Sequence, residues 1–173
     1  MRVSVFGLGY VGAVSCGCFA QDGIEVIGVD QVAAKVDLIN QGRSPIIEEK
    51  IDEIIRSAVE RKRLRATCDP EEAVLATDVS VVSVGTPANP NGSTNLSAVA
   101  RVCEQIGRAM AKKPQRHLVI IRSTVPPGTV RSLVVPTLVA ASGKRFGPDF
   151  GVCFNPEFLR EGSSVHDHYN PPF

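Results

Sequence analysis

Short apolar runs and longer amphipathic stretches alternate along almost the whole chain. RVSVF (2–6), EVIGVD (25–30), VSVVSV (79–84), HLVIIRS (117–123) and FGVCF (150–154) are rich in Val and Ile and too short for helices. Their nearly unbroken hydrophobicity predicts strands buried on both faces. Between them, residues 10–21, 32–40, 48–61, 97–112 and 129–142 carry helical spacing. In the third stretch Ile51, Ile54, Ile55 and Val59 form one apolar stripe and leave Glu53, Arg56 and Glu60 to solvent. LRAT (64–67) predicts a further short strand, and DPEEAVL (69–75) a helix with Asp69 as N-cap and Pro70 in its first turn. Strands alternating with helices predict an α/β fold, a Rossmann-like doubly wound parallel sheet in three α/β/α layers. One such domain is expected over residues 1–173.

Two loops stand at the C-terminal ends of predicted strands, where open α/β sheets place ligands. GTPANPNGSTN (85–95) is dense in Gly, Pro and Asn. The other, in VFGLGYVG (5–12), sets Gly7, Gly9 and Gly12 in the pattern G-x-G-x-x-G between the first strand and the first helix. The βαβ unit then ends at Asp30, eighteen positions after Gly12. In that context the pattern is a dinucleotide fingerprint. Gly7 permits the tight turn, Gly9 lets a pyrophosphate approach the backbone, and Gly12 allows close packing of helix on strand. The amides of Tyr10 and Val11 face the phosphates at the positive end of the helix. Asp30 accepts from the adenosine ribose hydroxyls and repels a 2′-phosphate, so NAD is expected over NADP.

Composition narrows the class further. The chain has 173 residues, 43% hydrophobic and 21% charged, with a formal net charge of +1, which fits one globular domain and gives no nucleic-acid footprint. No apolar run is long enough to span a bilayer, and MRVSVF enters a strand rather than a signal peptide. Five scattered cysteines, Cys16, Cys18, Cys68, Cys103 and Cys153, form neither a C-x-x-C pair nor an even disulfide set. A cytoplasmic location is expected. The end of the chain, HDHYNPPF, neither closes a helix nor completes a strand and reads as a cut. His166 and His168 are expected to be exposed tail residues rather than metal ligands, and no metal site is expected.

FGLGYVG, EVIGVD, INQGRSPI, VSVGTP, RSTVPPGT and NPEFLREG, in that order, resemble the N-terminal domain of the nucleotide-sugar 6-dehydrogenases, the family of UDP-glucose and GDP-mannose dehydrogenases. DLINQGRSPI and the run from FGVCF onward look closest to the GDP-mannose enzymes, with UDP-glucose as the alternative. The resemblance implies NAD contacts at Tyr10, Val11, Asp30, Lys35, Thr86 and Thr124. It places Thr124 among the catalytic residues too, with Glu157 as general base for the final hydrolysis and, with Glu161, a substrate contact. Four residues apart, Glu157 and Glu161 are expected to share a face of a helical turn. The implied reaction oxidises the primary alcohol of GDP-mannose to GDP-mannuronate, a precursor of alginate-type polysaccharide, with two NAD in succession. Its cysteine nucleophile belongs to a later part of the chain than the sequence in hand. The resemblance also implies a homo-oligomeric full-length enzyme. A stand-alone NAD-binding module without chemistry of its own is the reading from another class.

Overall fold

The computed structural model of the chain describes residues 1–171. Six strands, β1 (Arg2–Phe6), β2 (Glu25–Val29), β3 (Leu64–Thr67), β4 (Val79–Val82), β5 (His117–Ile121) and β6 (Phe150–Phe154), form one sheet. Their order is β3-β2-β1-β4-β5-β6 and every pairing is parallel. The order reverses between β1 and β4, which opens a crevice at their C-terminal ends.

The helices are α1 (Tyr10–Gln21), α2 (Ala33–Asn40), α3 (Ile51–Glu60), α4 (Pro70–Ala76), α5 (Ser97–Ala111), α6 (Val135–Ser142) and α7 (Ser164–Tyr169). Neighbouring strand residues point to opposite faces, so the inner strands β1, β2, β4 and β5 feed two cores, β3 only the first and β6 only the second of those described next. Val5 and Val81 join Cys16, Ile39, Ile51 and Ile55 on the side of α1, α2 and α3. Phe6 and Val82 join Val74, Ile106, Met110 and Leu138 on the side of α4, α5 and α6.

Several expectations need correction. Only β4 is buried along its whole length, whereas β3, β5 and β6 alternate or open out, and Cys153 and Phe154 on the edge strand β6 are exposed. An edge strand lacks the neighbour that would cover it. The helix expected from residue 48 begins at Ile51, because Lys50 takes a left-handed φ of 65° and Glu48 belongs to the loop before it. The stretch from 129 opens with a π-helical turn, Val130–Val134, ahead of Pro136, which has no N–H to continue the regular ladder. The sequence around His166 and His168 does close a helix, α7. His166 is exposed, but the His168 ring is half-buried, edge-on to Phe19 with ring centres 5.6 Å apart. The last two prolines of HDHYNPPF fall at the limit of the described residues: Pro171 is exposed, and Pro172 and Phe173 lie outside them.

Candidate functional site

The turn from β1 to α1 is built by its glycines. Gly7 has φ +95° and donates its N–H to Val29 O at 2.8 Å, which bends the chain sharply off the sheet. A Cβ on Gly12 would lie 1.7 Å from Gly7 O and 2.8 Å from Ser83 Oγ, so the helix could not pack this closely with any other residue there. A Cβ on Gly9 would meet nothing within 4 Å. It would project into open space at the helix start, the space a diphosphate would fill. Gly9 is the N-cap of α1 and supplies no capping side chain. The first N–H groups of the helix, Tyr10 and Val11 among them, therefore have no acceptor within the helix and favour an anion.

Asp30 follows β2 and is held before any ligand arrives. Its Oδ2 accepts from Leu8 N at 2.8 Å and its Oδ1 from Val32 N at 2.9 Å. Lys35 Nζ stands 3.6 Å from Oδ2, and only 9% of the Asp30 side chain is exposed. Each carboxylate oxygen has two lone pairs, so capacity remains for a ribose hydroxyl. Gly7, Gly9, Asp30, Lys35, Cys68 and Arg101 line a cavity of about 440 Å³ between β2 and α5.

On the other side of the turn a second cavity, of about 230 Å³, is lined by Tyr10, Val11, Thr86, Arg122, Thr124 and Glu157. The two cavities share Gly9, Ser83, Val84 and Gly85, and so form one cleft bent over the glycine turn. Thr86 Oγ1 donates to Thr124 O at 2.7 Å, joining the loops that follow β4 and β5. Arg122 is the cation of this end. Its guanidinium reaches Asn155 Oδ1, and its Nε is buried with no protein partner. Burial pulls its pKa below the usual arginine range, and the nearby Glu157 carboxylate opposes that. The sequence reading passed over Arg122, although a charge closing the apolar run HLVIIRS at a strand's C-terminal end was the signal.

Residues 155–160 are irregular, so Glu157 and Glu161 do not share a helical face. Asn155 N is tied to Ile121 O at 2.9 Å, and Glu157 Oε2 folds back to accept from Leu159 N at 2.8 Å, a local bond that competes with helix formation. Glu157 reaches the cleft; Glu161 sits on the exposed turn 161–163 and lines neither cavity. Asp167 anchors the segment to α7. Its carboxylate, fully enclosed, accepts from Arg160 N at 3.0 Å, Nε at 3.0 Å and Nη2 at 2.7 Å. The Arg160 guanidinium holds that carboxyl well below the usual carboxylate range. Glu48, also missed from sequence, accepts from Tyr10 and from the backbone at Gly162 and Ser164.

Among the described residues no group of His, Cys, Asp and Glu could hold a metal ion, and no helix is long and apolar enough to cross a membrane. A helix start bared by Gly9, an acid at the end of β2 and a cleft over the point where strand order reverses define a dinucleotide-binding domain of Rossmann type. The chain belongs to the UDP-glucose/GDP-mannose dehydrogenase family: residues 1–173 match its NAD binding domain, and NAD is the cofactor. It is similar to the GDP-mannose 6-dehydrogenase of Azotobacter vinelandii, with 52% identity over 172 residues, covering 99% of this chain and 39% of that protein. The UDP-glucose 6-dehydrogenase of Pseudomonas aeruginosa is 38% identical over 173 residues, covering 99% of this chain and 37% of that protein. Among solved structures, a ternary complex of GDP-mannose dehydrogenase from Pseudomonas aeruginosa matches with a TM-score of 0.98 and 50% identity, over 99% of this chain and 39% of that one. The chain thus spans about two fifths (39%) of the length of the GDP-mannose relatives it matches.

Proposed function

We propose that this chain is the cofactor-binding part of a GDP-mannose 6-dehydrogenase that works in the cytoplasm, takes two NAD and one water per sugar nucleotide and yields GDP-mannuronate. The observation that carries the choice of sugar nucleotide is the gap between 48–52% identity to GDP-mannose enzymes and 38–41% to UDP-glucose enzymes. NAD supplies the hydride acceptor.

The chain's own residues bind and orient. The N–H groups of Tyr10 and Val11 hold the diphosphate, Gly9 leaves it room, and Gly7 and Gly12 set the turn. Asp30 and Lys35 hold the adenosine ribose, while Thr86 and Thr124 hold the reactive end of the cofactor across the turn. Glu157, with one carboxylate oxygen committed to Leu159 N, keeps the other to take a proton from water during hydrolysis. Glu161 contacts substrate from the neighbouring turn. The nucleophilic thiol lies outside these residues. Burial pushes the Cys18 thiol up to about 11, the Cys103 thiol up to about 12, Cys16 higher still and Cys153 in the same direction, the reverse of what a reactive thiolate needs, and Cys68 lines the cavity of Asp30 rather than that of Thr124 and Glu157.

The test is a chimera in which this chain replaces the matching residues of the Azotobacter vinelandii enzyme. The expected result is NADH production from GDP-mannose, abolished by Gly9→Val. A folded chimera that binds NADH but oxidises no GDP-mannose would refute the proposal.

A further inference from the structure

One carboxylate joins three segments of the site. Glu48 Oε2 accepts from the Tyr10 hydroxyl and from Gly162 N at 2.8 Å, and Oε1 accepts from Ser164 N at 3.1 Å. Tyr10 is the first residue of α1, so its backbone faces the diphosphate position while its side chain faces Glu48. Gly162 directly follows Glu161, and Ser164 lies two residues further on. We propose that Glu48 is a positioning residue that couples cofactor occupancy of the glycine turn to the arrangement of residues 155–164. The inference rests on the cofactor reading above and extends it.

The linkage is stiff at each end. Upstream, Ser44 N donates to Asp52 Oδ1 at 2.9 Å and Ser44 Oγ to Ile46 O at 2.7 Å, so the loop that presents Glu48 is tied to α3. Downstream, the Arg160–Asp167 pair and a bond from Ser163 Oγ to Asp167 at 3.1 Å fasten the segment to α7. The Tyr10 hydroxyl also lies 3.2 Å from Arg160 O. A shift of the first turn of α1 is therefore passed on rather than absorbed locally. Burial pushes the Glu48 carboxyl up, but the bonds from Tyr10, Gly162 and Ser164 outweigh it and hold the group below its ordinary value. Burial first, and then Glu48, holds the Tyr10 phenol above its own. At neutral pH the pair is a charged acceptor facing a protonated donor, the stronger class of hydrogen bond. Coupling of this kind is reciprocal: whatever NADH does to the segment, the segment does to NADH affinity.

The test is hydrogen exchange at the Gly162 and Ser164 amides, with and without saturating NADH, in the wild-type chain, Glu48→Gln and Tyr10→Phe. In the wild type NADH should slow both amides several-fold. In Glu48→Gln they should exchange about tenfold faster without NADH, and in both variants the NADH effect should vanish at NADH concentrations raised to saturate each variant, whose affinity should fall by the factor of the lost coupling. A merely structural Glu48 would speed exchange equally with and without NADH. An NADH effect of wild-type size in both variants, or none in a wild type that binds NADH, would overturn the coupling. A wild type that does not bind NADH would overturn the cofactor reading, and the coupling with it. Should Glu48→Gln fail to fold, Tyr10→Phe removes a single hydroxyl and carries the same test.

Discussion

At the scale of single residues, Gly9 and Gly12 separate binding from packing. A side chain at Gly9 would enter open space, so Gly9→Val should leave the circular dichroism spectrum unchanged and abolish NADH binding. Gly12→Ala would bring a Cβ to 1.7 Å from a backbone oxygen, so it should lower the melting temperature as well as weaken NADH. Asp30 has two duties. Asp30→Ala should erode the preference for NADH over NADPH in paired titrations. It should also destabilise by about 1–3 kcal/mol, because the N–H groups of Leu8 and Val32 lose their acceptor. The residues legible in the sequence were those whose role depends on neighbours in the chain: glycines at fixed offsets, and an acid ending a strand. Arg122, a charge closing the run HLVIIRS, carried a signal of the same kind; Glu48 carried none, because its partner Gly162 lies 114 positions away.

At the scale of elements, the same division holds. RVSVF, LRAT and FGVCF match β1, β3 and β6 residue for residue. The first and last are rich in β-formers, whereas LRAT, with Thr67 alone of that kind, was placed by its position between two helical stretches. Asp69 caps α4 as expected, accepting from Glu71 N at 2.9 Å and Glu72 N at 3.2 Å with Pro70 behind it. Asp69→Ala should cost about 1 kcal/mol, seen as a fall of about 2–4 °C in melting temperature for a domain of this size. NPEFLREG was misread because acids four apart suit a helix only if nothing competes. Here Asn155 is held by β5, Glu157 bonds its own backbone, and Gly162 takes φ +85°.

At the scale of the whole molecule, a buried polar chain crosses the sheet at the end opposite the cleft. Lys113 Nζ lies 3.1 Å from His117 Nδ1, His117 Nε2 2.8 Å from Ser80 Oγ, and Ser80 Oγ 2.8 Å from Ser4 Oγ. Burial, and then the Lys113 charge, pulls the imidazole down to about 4. The unfolded chain, with His near 6.5, binds the extra proton over that window. Stability should therefore be full above about pH 6.5 and fall by about 2–3 kcal/mol as pH drops towards 4. Melting curves should show a shallower slope in His117→Gln. Catalysis is a second property of the whole protein: the chain alone, incubated with NAD and GDP-mannose, should give no sustained NADH, and continued turnover would assign the thiol to one of its own cysteines. The central claim, that the cleft over the glycine turn takes NAD, is tested most directly by titrating NADH and NADPH into the chain. Nicotinamide fluorescence can be followed with little interference because the chain has no Trp. Saturable NADH binding, weaker NADPH binding and loss of both in Gly9→Val are predicted; no binding, or equal binding by wild type and Gly9→Val, would contradict it.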